Sequence, residues 1–97
     1  MATPESRVKA RVKRILHDIG CYYIMPATGG YGNAGAPDFI VCFQGKFIGI
    51  ECKANGNKPT ALQYENLKKI QDNGGETLIV DENNMAQLYE VFGSYDS

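Results

Sequence analysis

Pro37-Asp38-Phe39-Ile40-Val41-Cys42-Phe43-Gln44-Gly45-Lys46-Phe47-Ile48-Gly49-Ile50-Glu51-Cys52-Lys53 is the stretch on which the reading of this chain turns. Apolar, β-branched and aromatic residues fill both of its arms, and Gln44-Gly45 interrupts them. That pattern predicts two short strands joined by a two-residue turn. A turn of that length fixes the pairing, with Phe43 opposite Lys46. Continued to the open end, the same pairing sets Asp38 directly across from Glu51. Side chains alternate along a strand, so Lys53 shares the face of Glu51. Two carboxylates and one amine therefore converge at the open end of a hairpin.

Like charges opposed on one face of a sheet destabilise it. Two arrangements relieve that cost. A hard divalent cation such as Mg²⁺ or Mn²⁺ can sit between the acids, bound through carboxylates and water. Alternatively Lys53 neutralises the pair on a solvated sheet end. The short pattern Asp…Glu-x-Lys leaves both open.

Downstream, Ala54–Lys58 is polar and turn-forming. Thr60 and Gln63 then have the spacing of a capping box at the start of a second helix. Leu62, Leu67 and Ile70, with Tyr64 alongside, give that helix an apolar stripe. Asn73-Gly74-Gly75 stops it, and residues 76–81 read as a strand. A last helix starts at Asn83 or Asn84, packs Met85, Leu88, Tyr89 and Phe92, and ends at Gly93. Upstream, Thr3-Pro4 is a helix start. Val8, Val12, Ile15, Leu16 and Ile19 form one stripe of a first helix that Gly20 ends. Residues 21–25 read as a strand closed by Pro26. Residues 27–36 are glycine-rich but lack the Gly-Lys-Ser/Thr ending of a phosphate-binding P-loop. Tyr31 in that loop could stack on a base. The expected order is αβββαβα, and the passage from Phe47 to Val80 is long enough for a parallel crossover.

The chain has 97 residues, the size of one domain spanning residues 1–97, and a net charge of −1. Its charges are unevenly spread. Arg7, Lys9, Arg11, Lys13 and Arg14 crowd the first helix, whereas residues 73–97 hold acids and no Lys or Arg. A local basic cluster binds phosphate whatever the overall charge. Glu5 leans toward the buried side of the first helix, where the helix dipole and an i,i+4 pair with Lys9 both favour it. His17, the only histidine, sits off the stripe and reads as a surface residue. Cys21, Cys42 and Cys52 show no C-x-x-C spacing and are expected reduced and mostly packed. With no apolar run long enough for a membrane span and a charged first helix unlike a signal peptide, the expected location is the cytoplasm, that of a bacterial host if the protein is phage-encoded.

Taken in order, Gly35-Ala-Pro-Asp-Phe-Ile, Ile50-Glu-Cys-Lys, Thr60-x-x-Gln63 and Gly74-Gly75 before an apolar strand make the chain resemble the PD-(D/E)XK nuclease superfamily. It is most similar there to the small stand-alone phage and bacterial members of the virus-type replication-repair nuclease (VRR-NUC) family. The resemblance runs from about Thr3 to Phe92. It implies an α/β restriction-endonuclease-like core with a mixed sheet flanked by helices. It further implies Mg²⁺- or Mn²⁺-dependent cutting of phosphodiester bonds. Asp38, Glu51 and the backbone carbonyl of Cys52 would ligate the metal, and Glu5 would reach it through water. Lys53 would orient or activate the attacking water, and Gln63 would serve the site as well as its cap. Arg7, Arg11, Arg14, Tyr31 and Lys58 are the candidate DNA contacts.

The resemblance to junction resolvases implies a homodimer acting on branched DNA, most specifically a Holliday (four-way) junction. A nickase or flap endonuclease is the alternative within the enzyme class. Outside it stands a silent nucleic-acid-binding module with structural carboxylates. A small-molecule hydrolase is disfavoured, because no Ser/His/Asp set and no histidine cluster is present.

Overall fold

Residues 2–27 and 34–93 are described in the structure, a computed structural model. The elements are α1 (Pro4–Ile19), β1 (Tyr22–Ile24), β2 (Phe39–Phe43), β3 (Lys46–Cys52), α2 (Ala61–Asp72), β4 (Glu76–Val80) and α3 (Gln87–Val91). This is the expected αβββαβα order. The four strands form one sheet in the order β1-β2-β3-β4. The first two pairings are antiparallel and β3 pairs with β4 in parallel. The architecture is thus α/β with a mixed sheet flanked by helices, compatible with a restriction-endonuclease-like core.

The hairpin has the register read from its turn: Phe43 pairs with Lys46, and the ladder runs on to Phe39 with Ile50. Gln44 and Gly45 both have positive φ, 49° and 79°. Such a turn carries the twist of the two strands it joins. On one face, Phe39 and Val41 oppose Ile50 and Ile48, and all four are fully buried. Val8, Val12 and Leu16 of α1 pack on that face together with Met85, Leu88 and Phe92 from the chain around α3. The rings of Phe43 and Phe92 meet edge to face with centroids 5.0 Å apart. Each such buried Leu, Ile or Phe is worth about 1.5–3 kcal/mol. A few of them suffice to hold α3, a helix far too short to be stable alone.

The helix ends follow their sequence signals. Thr3 caps α1, accepting from the Ser6 N–H, and Gly20 closes it in the left-handed conformation at φ 82°. Thr60 and Gln63 form the full capping box of α2.

Four expectations need correction. Only Leu67 of the α2 stripe is buried; Ile70 is half-buried, and Leu62 and Tyr64 are both 45% exposed. The helix lies along β3 and β4, and its first turn packs against the Gly35 segment while its side chains stay largely exposed. The last helix is shorter than expected: residues 82–86 form turns, with the Asn84 side-chain oxygen accepting from the Asp81 N–H, before α3 begins. Asparagine competes for backbone groups in this way and delays helix entry. Tyr89 remains 44% exposed. Cys42 is exposed, because it lies on the sheet face opposite the core, whereas Cys52 is buried and Cys21 half-buried; all three thiols are free.

Candidate active site

The paired ladder ends one residue short of Asp38, between Phe39 and Ile50. Beyond it a strand carbonyl no longer faces the Cys52 N–H. The Asp38 carboxylate takes that place: its Oδ2 accepts from Cys52 N at 2.8 Å. Asp38 is brought there by Gly35-Ala36-Pro37, which presses against α2. Gly35 has φ 79°, and a Cβ at this position would lie 2.7 Å from Leu62 Cγ and 2.9 Å from the Leu62 carbonyl oxygen. Only glycine satisfies both demands. Asn66 of α2 donates to the Leu62 carbonyl at 2.9 Å and to the Ala34 carbonyl at 3.5 Å, which ties the segment to the helix.

Glu51 is 1% exposed at its side chain. Its Oε2 lies 3.6 Å from Lys53 Nζ, and Lys53 Nζ lies 3.9 Å from Glu5 Oε1. Asp38 Oδ1 lies 3.5 Å from Lys9 Nζ. Three carboxylates and two ammonium groups thus share the open end of the hairpin and the first turns of α1. The other oxygen of Glu51, Oε1, is buried without a hydrogen-bond partner among the described residues. Burial raises the Glu51 carboxyl pKa to about 7, helped by the neighbouring charges of Asp38 and Glu5 and opposed by Lys53. A buried carboxylate with one oxygen unsatisfied is costly. The arrangement therefore holds an acceptor in reserve.

Of the residues expected at a site, the fold brings Asp38, Glu51, Lys53, Glu5 and the backbone of Cys52 together. Gln63 lies elsewhere in role: its Oε1 accepts from Thr60 N at 2.9 Å in the cap, and no hydrogen bond among the described residues joins it to the acids. Arg7, Arg11 and Arg14 are exposed on α1. Arg7 and Arg11 line a shallow hollow with Asn55 and Glu82, and Arg14 flanks another with Tyr23. Lys58 is exposed in the turn before α2, and Tyr31 falls outside the described residues.

Two contributors escaped the sequence reading. Lys9 was expected to pair with Glu5 one turn away; it instead reaches Asp38, and Glu5 reaches Lys53. The signal was present. Once Glu5 is placed near the acids, helical spacing carries Lys9 to the same edge. The Cys52 N–H had no side-chain signal at all.

Among the described residues no three His, Cys, Asp or Glu side chains gather closely enough to hold an ion by themselves. Mg²⁺ characteristically uses only one or two carboxylates and keeps several waters. The donors here are hard oxygens, and the unpartnered Glu51 Oε1 is buried beside the Asp38 charge. The residues present fit such a cation better than a softer metal, since the histidine is remote on α1 and the Cys52 thiol is buried in the core. A separate groove of about 840 Å³ runs between α2 and the sheet, lined by Ile24, Pro37, Ile40, Phe47, Leu62 and Ile70 among others, and none of the three carboxylates lines it.

No family model matches the chain. A protein of Acyrthosiphon pisum secondary endosymbiont phage 1, named "Putative nuclease p44", is 33% identical to it over 58 residues. The match covers 59% of this chain and 62% of the phage protein, so the chain spans less than two thirds of that relative's length. No helix among the described residues is long and apolar enough to cross a membrane.

Proposed function

We propose that this chain is a nuclease of the PD-(D/E)XK type: a Mg²⁺- or Mn²⁺-dependent endonuclease that hydrolyses DNA phosphodiester bonds, and specifically a homodimeric resolvase of four-way junctions. One observation carries the reading. The fold brings Asp38, Glu51 and Lys53 to one hairpin end and leaves a buried Glu51 oxygen without a partner. A structural salt-bridge cluster has no reason to keep that oxygen unsatisfied. The nuclease name of the phage relative supports the same class.

Asp38 and Glu51 would hold the ion, with the Cys52 carbonyl as a third donor and Glu5 acting through water. When bound, a divalent ion supplies Lewis-acid polarisation of the phosphate and a water of lowered pKa. Lys53 holds its ammonium between Glu51 and Glu5, 3.6 Å from Glu51 Oε2 and 3.9 Å from Glu5 Oε1. Its role is to orient the attacking water and offset the negative charge that grows on the phosphate. The Cys52 N–H holds Asp38 in one orientation, so the carboxylate loses little freedom on binding. Arg7, Arg11, Arg14 and Lys58, with Tyr31, would contact the DNA. Exposed Ile24, Phe47 and Leu62 rim the apolar groove, and a second copy would cover them.

The test uses an end-labelled four-way junction with Mn²⁺, alongside the solution mass of the protein. Paired symmetric nicks made by a dimer support the resolvase. Unpaired nicks or flap cleavage by a monomer assign the same chemistry to another branched substrate. Salt-sensitive DNA binding with no metal-dependent cutting makes the protein a binding module and sinks the nuclease.

A further inference from the structure

We propose that Lys9 is a displaceable counter-ion: its ammonium occupies the place on Asp38 Oδ1 that a divalent cation takes, and it must leave for the cation to bind. The inference rests on the metal reading above.

Three observations carry it. Asp38 has one oxygen fixed and one free to exchange partners. Oδ2 is committed to the Cys52 N–H at 2.8 Å, while among the described residues Oδ1 faces only the ammonium of Lys9, at 3.5 Å. The two lysines of the cluster also differ in mobility. The Lys53 side chain is 11% exposed and lies between Glu51 and Glu5, whereas that of Lys9 is 36% exposed and stands on α1 with open solvent beside it. Lys9 is therefore the amine that can withdraw without unfolding anything. Finally, the unpartnered oxygen belongs to Glu51, the residue that faces Lys53, and not to Asp38. Asp38 and Glu51 face different amines, and a cation held by both residues would need Oδ1 of Asp38 released. A flexible lysine stem on an exposed helix suits that exchange.

Displacement has a functional consequence. The cation's arrival neutralises the acids and frees one ammonium at the rim. That positive charge is then available to a phosphate, so cation binding and DNA binding favour each other.

The test is Mn²⁺ binding to the DNA-free protein, read by calorimetry, for wild type, Lys9→Met, Lys9→Arg and Asp38→Asn. Removing the competing charge tightens Mn²⁺ binding in Lys9→Met by about 3- to 10-fold, the range expected for a half-exposed ion pair. Lys9→Arg keeps the charge and binds within about 2-fold of wild type. Thermal melts give a second readout. Lys9→Met melts a few degrees below wild type without metal, and the gap closes at saturating Mn²⁺. A substitution that merely loosened the helix would not tighten binding. Unchanged or weaker Mn²⁺ binding in Lys9→Met, with wild-type binding still dependent on Asp38, overturns the Lys9 proposal and leaves the metal site standing. Wild-type binding that Asp38→Asn does not alter, or no binding at all, overturns both.

Discussion

Burial raises the Glu51 carboxyl pKa from an ordinary value of 4.5 to about 7, so the folded protein and the unfolded chain lose this proton at different pH. Below the lower value both states are protonated and the group makes no difference. Between the two values the unfolded chain ionises first, and stability falls as pH rises. Above about pH 7 the charged side chain is carried in the fold at full cost. Glu51→Gln removes that cost. In thermal melts without metal, the variant gains on wild type as pH rises from about 5 to about 8, and a gap that stays constant contradicts the buried-charge account. The approach of Asp38, Glu51 and Lys53 was legible because a two-residue turn dictates the pairings above it. The expected pairing of Asp38 with Glu51 does not form: the ladder stops at Phe39 with Ile50, and the Asp38 side chain takes the Cys52 N–H. Lys9 was not, because its partner lies on a different element and the nearer Glu5 offered a sufficient local explanation. Gln63 was legible as a cap, and the cap is what its carboxamide oxygen serves.

At the scale of elements, Gly35 decides where the hairpin's open end sits. Gly35→Ala meets both a left-handed backbone and the Leu62 carbonyl. It lowers stability by roughly 1–3 kcal/mol, measured by urea unfolding. An unchanged midpoint means that the segment is not pressed against α2 as described. The hairpin also sorts the thiols. Cys52 is buried and its pKa is raised, first by burial and then by the Asp38 and Glu51 charges, while Cys42 is exposed on the other face. A thiol reagent labels Cys42 in the native protein and reaches Cys52 only after unfolding. Rapid native labelling of Cys52 contradicts the strand assignment. The element order along the chain, the hairpin and the caps of α1 and α2 were readable from local signatures, and the length of the β3–β4 passage allowed the parallel crossover. The pairing of β1 with β2 had no such signature. The exposed first turn of α2 was not readable, because periodicity marks an apolar stripe without saying what covers it. The late start of α3 was not readable either: Asn83 and Asn84 can open a helix or form a turn, and here the Asn84 side chain accepts from the Asp81 N–H and closes a turn.

Over the whole molecule the charges divide. The exposed arginines lie on α1, on a flank turned away from Glu5 and Lys9 by helical spacing, and the chain beyond residue 73 is acidic. On the proposed function, DNA binding through that helix is expected to weaken as salt rises. Arg7→Ala and Arg11→Ala each weaken it on any sequence and reduce the salt slope by about 1. A slope that neither substitution changes moves the DNA surface off α1. On the proposed function, the hairpin's carboxylate pair carries metal-dependent phosphodiester cleavage. Its most direct test is the rate at which wild type, Asp38→Asn and Glu51→Gln cut one labelled four-way junction in Mn²⁺. Wild type is expected to cut, and each variant to lose at least about 100-fold in rate. Variants that cut as fast as wild type would contradict that reading.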